Sequence, residues 1–194
     1  MSGSRTRCAW LGNWATSADP IYRDYHDREW GVPCHDEQRL FELLCLEAAQ
    51  AGLSWITVLK KRDNYRQAFD GFHIERIAAY DETDVTRLMN NAGIIRNRAK
   101  IQAAIGNAAA WIALRAQHGS VAEYLWRFVD GKPFIRSPQD LSAVPASTAE
   151  SDAMSKALRK AGFKFVGTTI CYAFMQASGM VNDHTTDCFC HPDA

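Results

Sequence analysis

Two groups of residues have the types and spacing to do chemistry. The first pairs a carboxylate with an aromatic ring: Glu47 falls in register with Leu40, Leu43, Leu44 and Ala51 on one helical face, and Trp55 follows shortly after across Gly52 and Ser54. An unpaired carboxylate on an apolar stripe either costs several kcal/mol to bury or takes up a proton, so Glu47 calls for a polar partner or a use. The second group is metal-binding in character. His184 and Cys188 are spaced i, i+4, which puts an imidazole and a thiolate on one side of a turn. A structural zinc site needs four ligands; the N-terminal segment offers Cys8 and His26, and Cys34, His35, Cys190 and His191 are also available. Four protein ligands leave no position for water, so such a metal would be structural and would clip the two ends of the chain together.

The elements that must position these residues follow from periodicity and punctuation. The stretch from Asp36 to Tyr65 reads as a helix carrying Glu47, a break at Gly52, and a second helix capped by Ser54 and opening with Trp55. Acid and ring are thereby brought to one corner. The first 35 residues, with Trp10, Trp14, Tyr22, Tyr25 and Trp30 among turn formers, read as loop with a short helix near Ile21 to Asp27. Val85, Leu88 and Met89 mark a short helix with Gly93 as its left-handed stop, and Ile101, Ile105, Ala108, Ala109 and Ile112 mark a longer one. Arg96, Arg98 and Lys100 at the start of that helix form either a solvated basic face or a set of phosphate contacts. Tyr124 to Val129 reads as a further helix. Gly131 to Pro145, which holds three of the six prolines, reads as a connecting loop.

Near the end, Met154, Ala157, Leu158 and Ala161 define a helix ending at Gly162, followed by a tight turn from Phe163 to Gly167 and a helix from Thr168 to Gly179. A glycine turn at a helix start offers free backbone N–H groups to a phosphate, and Lys156, Arg159, Lys160 and Lys164 add positive charge beside it. No strand alternation is strong enough to indicate a sheet, so the fold class is all-α.

Length and composition narrow the class of protein. At 194 residues the chain is expected to be a single unit, 1–194, or two small helical lobes: one of clipped termini and a central one over about 36–130. The formal net charge of 0 excludes a polyelectrolyte-like, non-specific nucleic-acid binder but leaves room for a local basic face. No run reaches the roughly 20 apolar residues of a membrane span, and MSGSRTRCAW lacks a signal-like apolar segment. A soluble, cytoplasmic protein is expected, with no membrane partner and no need of an oligomer. Six scattered cysteines without a secretory signal argue against a disulfide framework; Cys45 and Cys171 sit in apolar helical patterns and read as core.

Several motifs occur together and in order: Tyr25-His26-Asp27-Arg28-Glu29-Trp30-Gly31-Val32-Pro33, Leu46-Glu47, Gln50-Ala51-Gly52-Leu53-Ser54-Trp55, Lys164-Phe165-Val166-Gly167-Thr168-Thr169 and Val181-Asn182-Asp183-His184. They closely resemble the bacterial 3-methyladenine DNA glycosylase I family, from about Cys8 to Cys188. The resemblance implies an all-α helix-hairpin-helix DNA glycosylase fold that acts, as a monomer, on alkylated duplex DNA and releases free 3-methyladenine. It further implies one structural zinc ion held by Cys8, His26, His184 and Cys188. Glu47 then lies in the base pocket as the acid, Trp55 stacks on the base, and Tyr25 lines the same pocket with Trp10, Tyr22 and Trp30 nearby. The turn formed by Lys164, Phe165, Val166, Gly167 and Thr168 grips the DNA backbone. One departure is visible: GNWAT widens the interval between Trp10 and Tyr22. An aspartate after the hairpin helix serves related superfamily enzymes, and Asp183 lies near that place. No lysine is placed for Schiff-base chemistry, so hydrolysis without strand cleavage is expected. Two other readings of the residues compete with this one: a zinc-stapled helical DNA-binding module without catalysis, and a Cys/His hydrolase.

Overall fold

The structure, a computed structural model, describes residues 5–17 and 19–194. Residues 1–4 and Ala18, which belong to the expected unit of 1–194, lie outside the described residues, as does the start of the segment read as lacking a signal. The N-terminal part is more ordered than a loop. A 3-10 segment, Ala9–Ala15, turns at Gly12 (φ +50°) and leads into α1 (Ile21–Arg28).

Helix α2 (Glu37–Gln50) begins where Asp36 accepts a hydrogen bond from the Arg39 amide at 2.7 Å, and it stops before Gly52, whose φ of +79° an L side chain rarely adopts. It is followed by α3 (Trp55–Leu59), α4 (Arg62–Ala68) and α5 (Ile74–Ala78). Ser54 occupies the N-cap position of α3, but its hydroxyl bonds that of Thr57 at 2.7 Å rather than a backbone amide. Next come α6 (Glu82–Met89), with an Asp81–Asp84 capping box, and α7 (Arg98–His118), capped by Asn97. Gly93 is not the left-handed stop expected of it: α6 ends at Met89 with Asn90 as its C-cap, and the Gly93 amide donates to Asn91 Oδ1 at 2.8 Å. The buried face of α7 runs through Ile101, Ala104, Ala108, Trp111 and Leu114; of the stripe read from the sequence, Ile101 and Ala108 lie on it, Ile105 and Ile112 are half-buried at its edge, and Ala109 is exposed.

Helices α8 (Val121–Trp126), α9 (Ala149–Lys160) and α10 (Thr168–Ala177) complete the helical set. The fold is mostly helical, with one departure from the all-α expectation. Phe134–Ile135 (β1) and Val181–Asn182 (β2) pair in parallel, Phe134 beside Val181. A two-residue ladder has no alternation to read in a sequence. Among the described residues, no helix is long and apolar enough to cross a membrane.

The core explains why α2 is central. From Leu40 to Ala49 every residue is buried, because α3, α7, α8 and α10 all pack on this helix. The main cluster runs from Leu40 to Val181 and takes in both α7 and α10, and a smaller one gathers Cys8, Tyr25, Trp30, Leu59 and Cys188. Lys100 fits neither reading of the basic group. Its ammonium donates to the Ala49 and Ala51 carbonyls at 2.8 and 2.6 Å, capping the C-terminal end of α2, while Arg98 pairs with Glu82 at 2.6 Å.

The segment after α1 is sewn to the end of α10: the Gly31 amide donates to Gln176 O at 2.9 Å and the Cys34 amide to Ser178 O at 3.0 Å. This contact requires glycine at 179. A Cβ there would lie 2.2–2.3 Å from the backbone of Val32 and Pro33, and the residue has φ +70°. Backbone cannot swing aside as a side chain can, so Gly179→Ala is expected to destabilise by at least about 3 kcal/mol. Urea denaturation of the variant measures this, and a loss below about 1 kcal/mol would show that the seam gives way cheaply.

Candidate active site

Six aromatic and acidic residues singled out in the sequence line one cavity of about 250 Å³: Trp10, Tyr22, Tyr25, Trp30, Glu47 and Trp55. That volume falls below the ~300–1,000 Å³ of sites for drug-sized ligands and suits something the size of a nucleobase. Tyr25 reaches it from α1 and Trp55 from the first turn of α3, with ring centroids 5.4 Å apart and planes at 51°. Trp10 packs against Tyr22 at 5.0 Å and edge-on to Trp30 at 5.1 Å, so the widened interval does not remove it from the cavity. Trp14 packs outside, against Tyr22 and beneath the Lys60 ammonium, 4.6 Å from its ring. Both the Trp10 and Trp55 indole N–H groups are buried without a hydrogen-bond partner among the described residues.

Five further wall residues were not singled out. Gln50 is i+3 from Glu47 and was legible from that spacing. Leu141 and Val144 come from the loop after β1, and Ala173 and Gln176 come from α10; only the fold brings them here.

The central helix carries two buried glutamates in opposite circumstances. Glu42 is 6% exposed and faces two guanidinium groups, Arg66 Nε at 2.8 Å and Arg39 Nη1 at 2.8 Å. Glu47 is 4% exposed and makes no hydrogen bond to any described residue. Burial alone pushes its carboxyl up to about 8, so it is mostly protonated at neutral pH. The pocket phenols respond to the same group: burial first and the Glu47 charge second push Tyr22 up to about 12 and hold Tyr25 well above its ordinary range.

Cys8, His26, His184 and Cys188 converge behind the cavity, all buried, and could hold a metal ion. Cys8 Sγ lies 3.4 Å from His184 Nδ1, and Cys188 Sγ lies 3.5 Å from His184 Nδ1 and 3.6 Å from His26 Nε2. Sulfur at about 2.3 Å and nitrogen at about 2.0–2.1 Å from a tetrahedral zinc would be about 3.5–3.6 Å apart, so the spacing fits such an ion. The imidazoles are also oriented for it. His184 Nε2 faces the Trp30 carbonyl at 3.0 Å, which can only accept, leaving Nδ1 unprotonated toward the sulfurs. His26 Nδ1 meets Asp27 at 2.7 Å, and Asp27 is held by Arg7 at 2.7 Å. His191, His35 and Cys34 lie elsewhere: His191 faces the Ser137 hydroxyl, His35 stacks on Trp126, and Cys34 approaches Asp36 O; Cys190 borders the cluster, its thiol grouped with His26 and Asp27 and its backbone amide donating to Cys188 Sγ at 3.4 Å.

Lys164, Phe165, Val166, Gly167 and Thr168 form the tight turn between α9 and α10, with Gly162 (φ +94°) and Phe165 (φ +55°) both left-handed. A buried residue that sequence reasoning missed fixes this turn. Asn107 on α7 donates to Lys164 O at 3.0 Å and accepts from Lys164 N at 2.8 Å. Ser155 adds a bond to Val166 O at 2.7 Å. Gly167 supplies no side-chain cap, so the first amides of α10 face outward beside Arg159, Lys156 and Lys164.

Fold and site together define a mostly helical protein with a base-sized aromatic pocket, a buried acid, and a basic turn at a helix start. Comparison with known proteins makes the assignment specific. Residues 14–191 match the model of the methyladenine glycosylase family, and the chain belongs to that family. It is 55% identical over 186 residues to DNA-3-methyladenine glycosylase 1 of Escherichia coli K12, covering 96% of this chain and 97% of the relative. A crystal structure of a 3-methyladenine DNA glycosylase I superposes with a TM-score of 0.91 at 59% identity, covering 96% of this chain and 100% of the other. The Staphylococcus aureus enzyme, solved for the structural basis of its 3-methyladenine recognition, superposes at 0.90 with 35% identity over 98% of each chain.

The raised carboxyl has a consequence for stability. In the unfolded chain Glu47 ionises near its ordinary 4.5, whereas in the folded protein it keeps its proton to about 8. Folding therefore binds a proton between those values, and the Glu47 contribution to stability is lost as pH rises through that window. Glu47→Gln removes the titration. The variant is expected to gain steadily on the parent from about pH 4.5 to 8, by an order of a few kcal/mol, and to hold that margin above pH 8. Urea midpoints measured for both proteins across this range check it; a margin independent of pH would mean that Glu47 is ionised throughout.

Proposed function

We propose that the protein excises 3-methyladenine from alkylated duplex DNA in base-excision repair, hydrolysing the N-glycosidic bond and leaving an abasic site. The observation that carries this reading is Glu47, a buried acid without a protein partner in an aromatic cavity of nucleobase size. The base must be flipped out of the duplex to enter such a cavity. Family membership and the names of the relatives support the same substrate.

The chemistry follows from charge. Adenine methylated at N3 in DNA is cationic and already a good leaving group, so the protein must chiefly select it and hold it for attack by water on an oxocarbenium-like sugar. Ionising Glu47 at pH 7 against a value of about 8 costs on the order of 1.4 kcal/mol. A cation about 4 Å away in a medium of effective dielectric ~20 returns about 4 kcal/mol. Contact with the rings of Tyr25 and Trp55 adds ~0.5–2 kcal/mol of cation–π attraction. Neutral adenine offers neither gain. Glu47 therefore acts first as a reader of charge and second as a catalyst, with Trp10, Tyr22 and Trp30 completing the wall. None of the residues lining the cavity is a lysine, which supports hydrolysis without strand cleavage.

The remaining assignments rest on position and chemistry. Lys164, Phe165, Val166, Gly167 and Thr168 grip a DNA phosphate through the open amides of α10, in the manner of a helix-hairpin-helix element. Cys8, His26, His184 and Cys188 hold one structural zinc, which ties the terminal segments to the pocket wall.

Purified protein is expected to release free 3-methyladenine from methylated duplex DNA, detected by chromatography; no release under any condition would defeat the reading. Trp55→Ala should lower kcat/KM by roughly tenfold or more through lost stacking. Metal analysis of protein purified without added metal should find about one equivalent of zinc, abolished in Cys188→Ser with a lowered melting temperature. Protein free of zinc and equally stable would refute the metal assignment while leaving the pocket untouched.

A further inference from the structure

A second carboxylate lies behind the pocket. Asp183 follows β2, is 1% exposed, and has one oxygen that accepts from the Tyr172 hydroxyl at 2.5 Å and from Gln176 Nε2 at 2.8 Å. Its other oxygen makes no hydrogen bond and has Arg136 Nε at 3.6 Å. A carboxylate oxygen that already takes the Tyr172 proton can only accept, so it faces the nitrogen side of the glutamine amide and the flip of Gln176 is determined. Gln176 is part of the pocket wall, and its backbone carbonyl is tied to the Gly31 amide at 2.9 Å. With its nitrogen held back by Asp183, the amide has its carbonyl oxygen left to offer a ligand.

We propose that Gln176 is a specificity-determining residue that presents an acceptor to the N–H of a 6-amino purine, and that Asp183, supported by Tyr172, is the positioning residue that sets this polarity. The assignment rests on the base-excision reading of the pocket and extends it to the choice between purines. A 6-amino group donates where a 6-oxo group accepts. Two acceptors, Glu47 once ionised and Gln176, therefore favour alkylated adenine and oppose alkylated guanine, whose oxygen would face them unpaired. An amide freed from Asp183 could turn over and donate, and that preference would fade.

The test is the ratio of affinities for free 3-methyladenine and free 3-methylguanine, measured by calorimetry on the full chain. Gln176→Met keeps the volume and removes the acceptor; it is expected to lower the ratio about tenfold. Asp183→Asn should lower it by a similar factor. The double variant should fall no further than Gln176→Met alone, because Asp183 acts through that side chain. Ratios within twofold of the parent in folded Gln176→Met and Asp183→Asn would overturn the inference, and so would independent, multiplying losses in the double variant. If Asp183→Asn does not fold, Tyr172→Phe takes its place, with a smaller fall expected and an unchanged ratio counting against the proposal. Release of 3-methyladenine from methylated DNA by the parent, assayed alongside, judges the glycosylase reading separately, since the affinity ratio needs no turnover.

Discussion

The constraint on which this structure turns is the burial of carboxylates on a helix that other helices surround. Helix α2 has almost no solvent-facing side between Leu40 and Ala49. Any acid it carries must be matched by a cation or stay protonated. Glu42 takes the first course, and one of its partners does further structural work: Arg39 converges with Arg62 on Glu29 at 2.5 and 2.6 Å, binding the end of α1 to α2 and α4. Glu47 takes the second, one turn further along and facing the opposite requirement. The ionic network that fixes α1 also fixes Tyr22 and Tyr25 on it, so the matched acid positions the walls around the unmatched one.

The aromatic segment and the Cys/His cluster form a continuous assembly. His184 stands edge-on to Trp30 at 4.7 Å and meets the Trp30 carbonyl; Trp30 meets Trp10 at 5.1 Å, and Trp10 meets Tyr22 and His26. Cys8 sits two residues before Trp10, and His26 sits one after Tyr25. Each proposed metal ligand from the N-terminal part is thus next to, or nearly next to, a wall residue. Short elements such as the 3-10 segment and α1 have few backbone hydrogen bonds to hold their rings, and on the proposed reading a metal held by all four residues would supply the missing constraint.

Much of this was legible in the sequence because it rests on local rules. The break at Gly52, the placing of Glu47 and Trp55 at one corner, and the turn at Gly162 all follow from glycine chemistry and helical periodicity. What was not legible depended on tertiary contact. That α2 is buried on all sides cannot be read from its own stripe, since an amphipathic helix and a central one share the same apolar positions. Lys100 looked like a surface cation because nothing near it in sequence reveals the open carbonyls at the end of α2. Asn107 and Gln176 carried no signal for the same reason: the partner of Asn107 lies 57 residues away, and that of Gln176 lies beyond the end of its helix, just after a strand too short to be recognised. Gly93 illustrates a different limit, since a side chain next to it, Asn91, supplied the turn that glycine was expected to make.

The two treatments of glutamate on one helix also bear on selectivity. A carboxylate paired as Glu42 is would hold its charge at all times, but its lone pairs would be engaged and its field largely neutralised, leaving little for a ligand. A solvated carboxylate would be free, yet water would screen its attraction for a cation to about 1 kcal/mol at contact distance. On the proposed reading, Glu47 avoids both limits by staying protonated until a positive charge arrives. The energy it then gains depends on the dryness of the cavity, which the aromatic walls maintain and which nothing on α2 alone could provide. On the proposed reading, discrimination for a damaged base is therefore a property of the surrounding burial as much as of the acid, and a change that admitted water beside Trp55 or Tyr25 would erode it without touching Glu47.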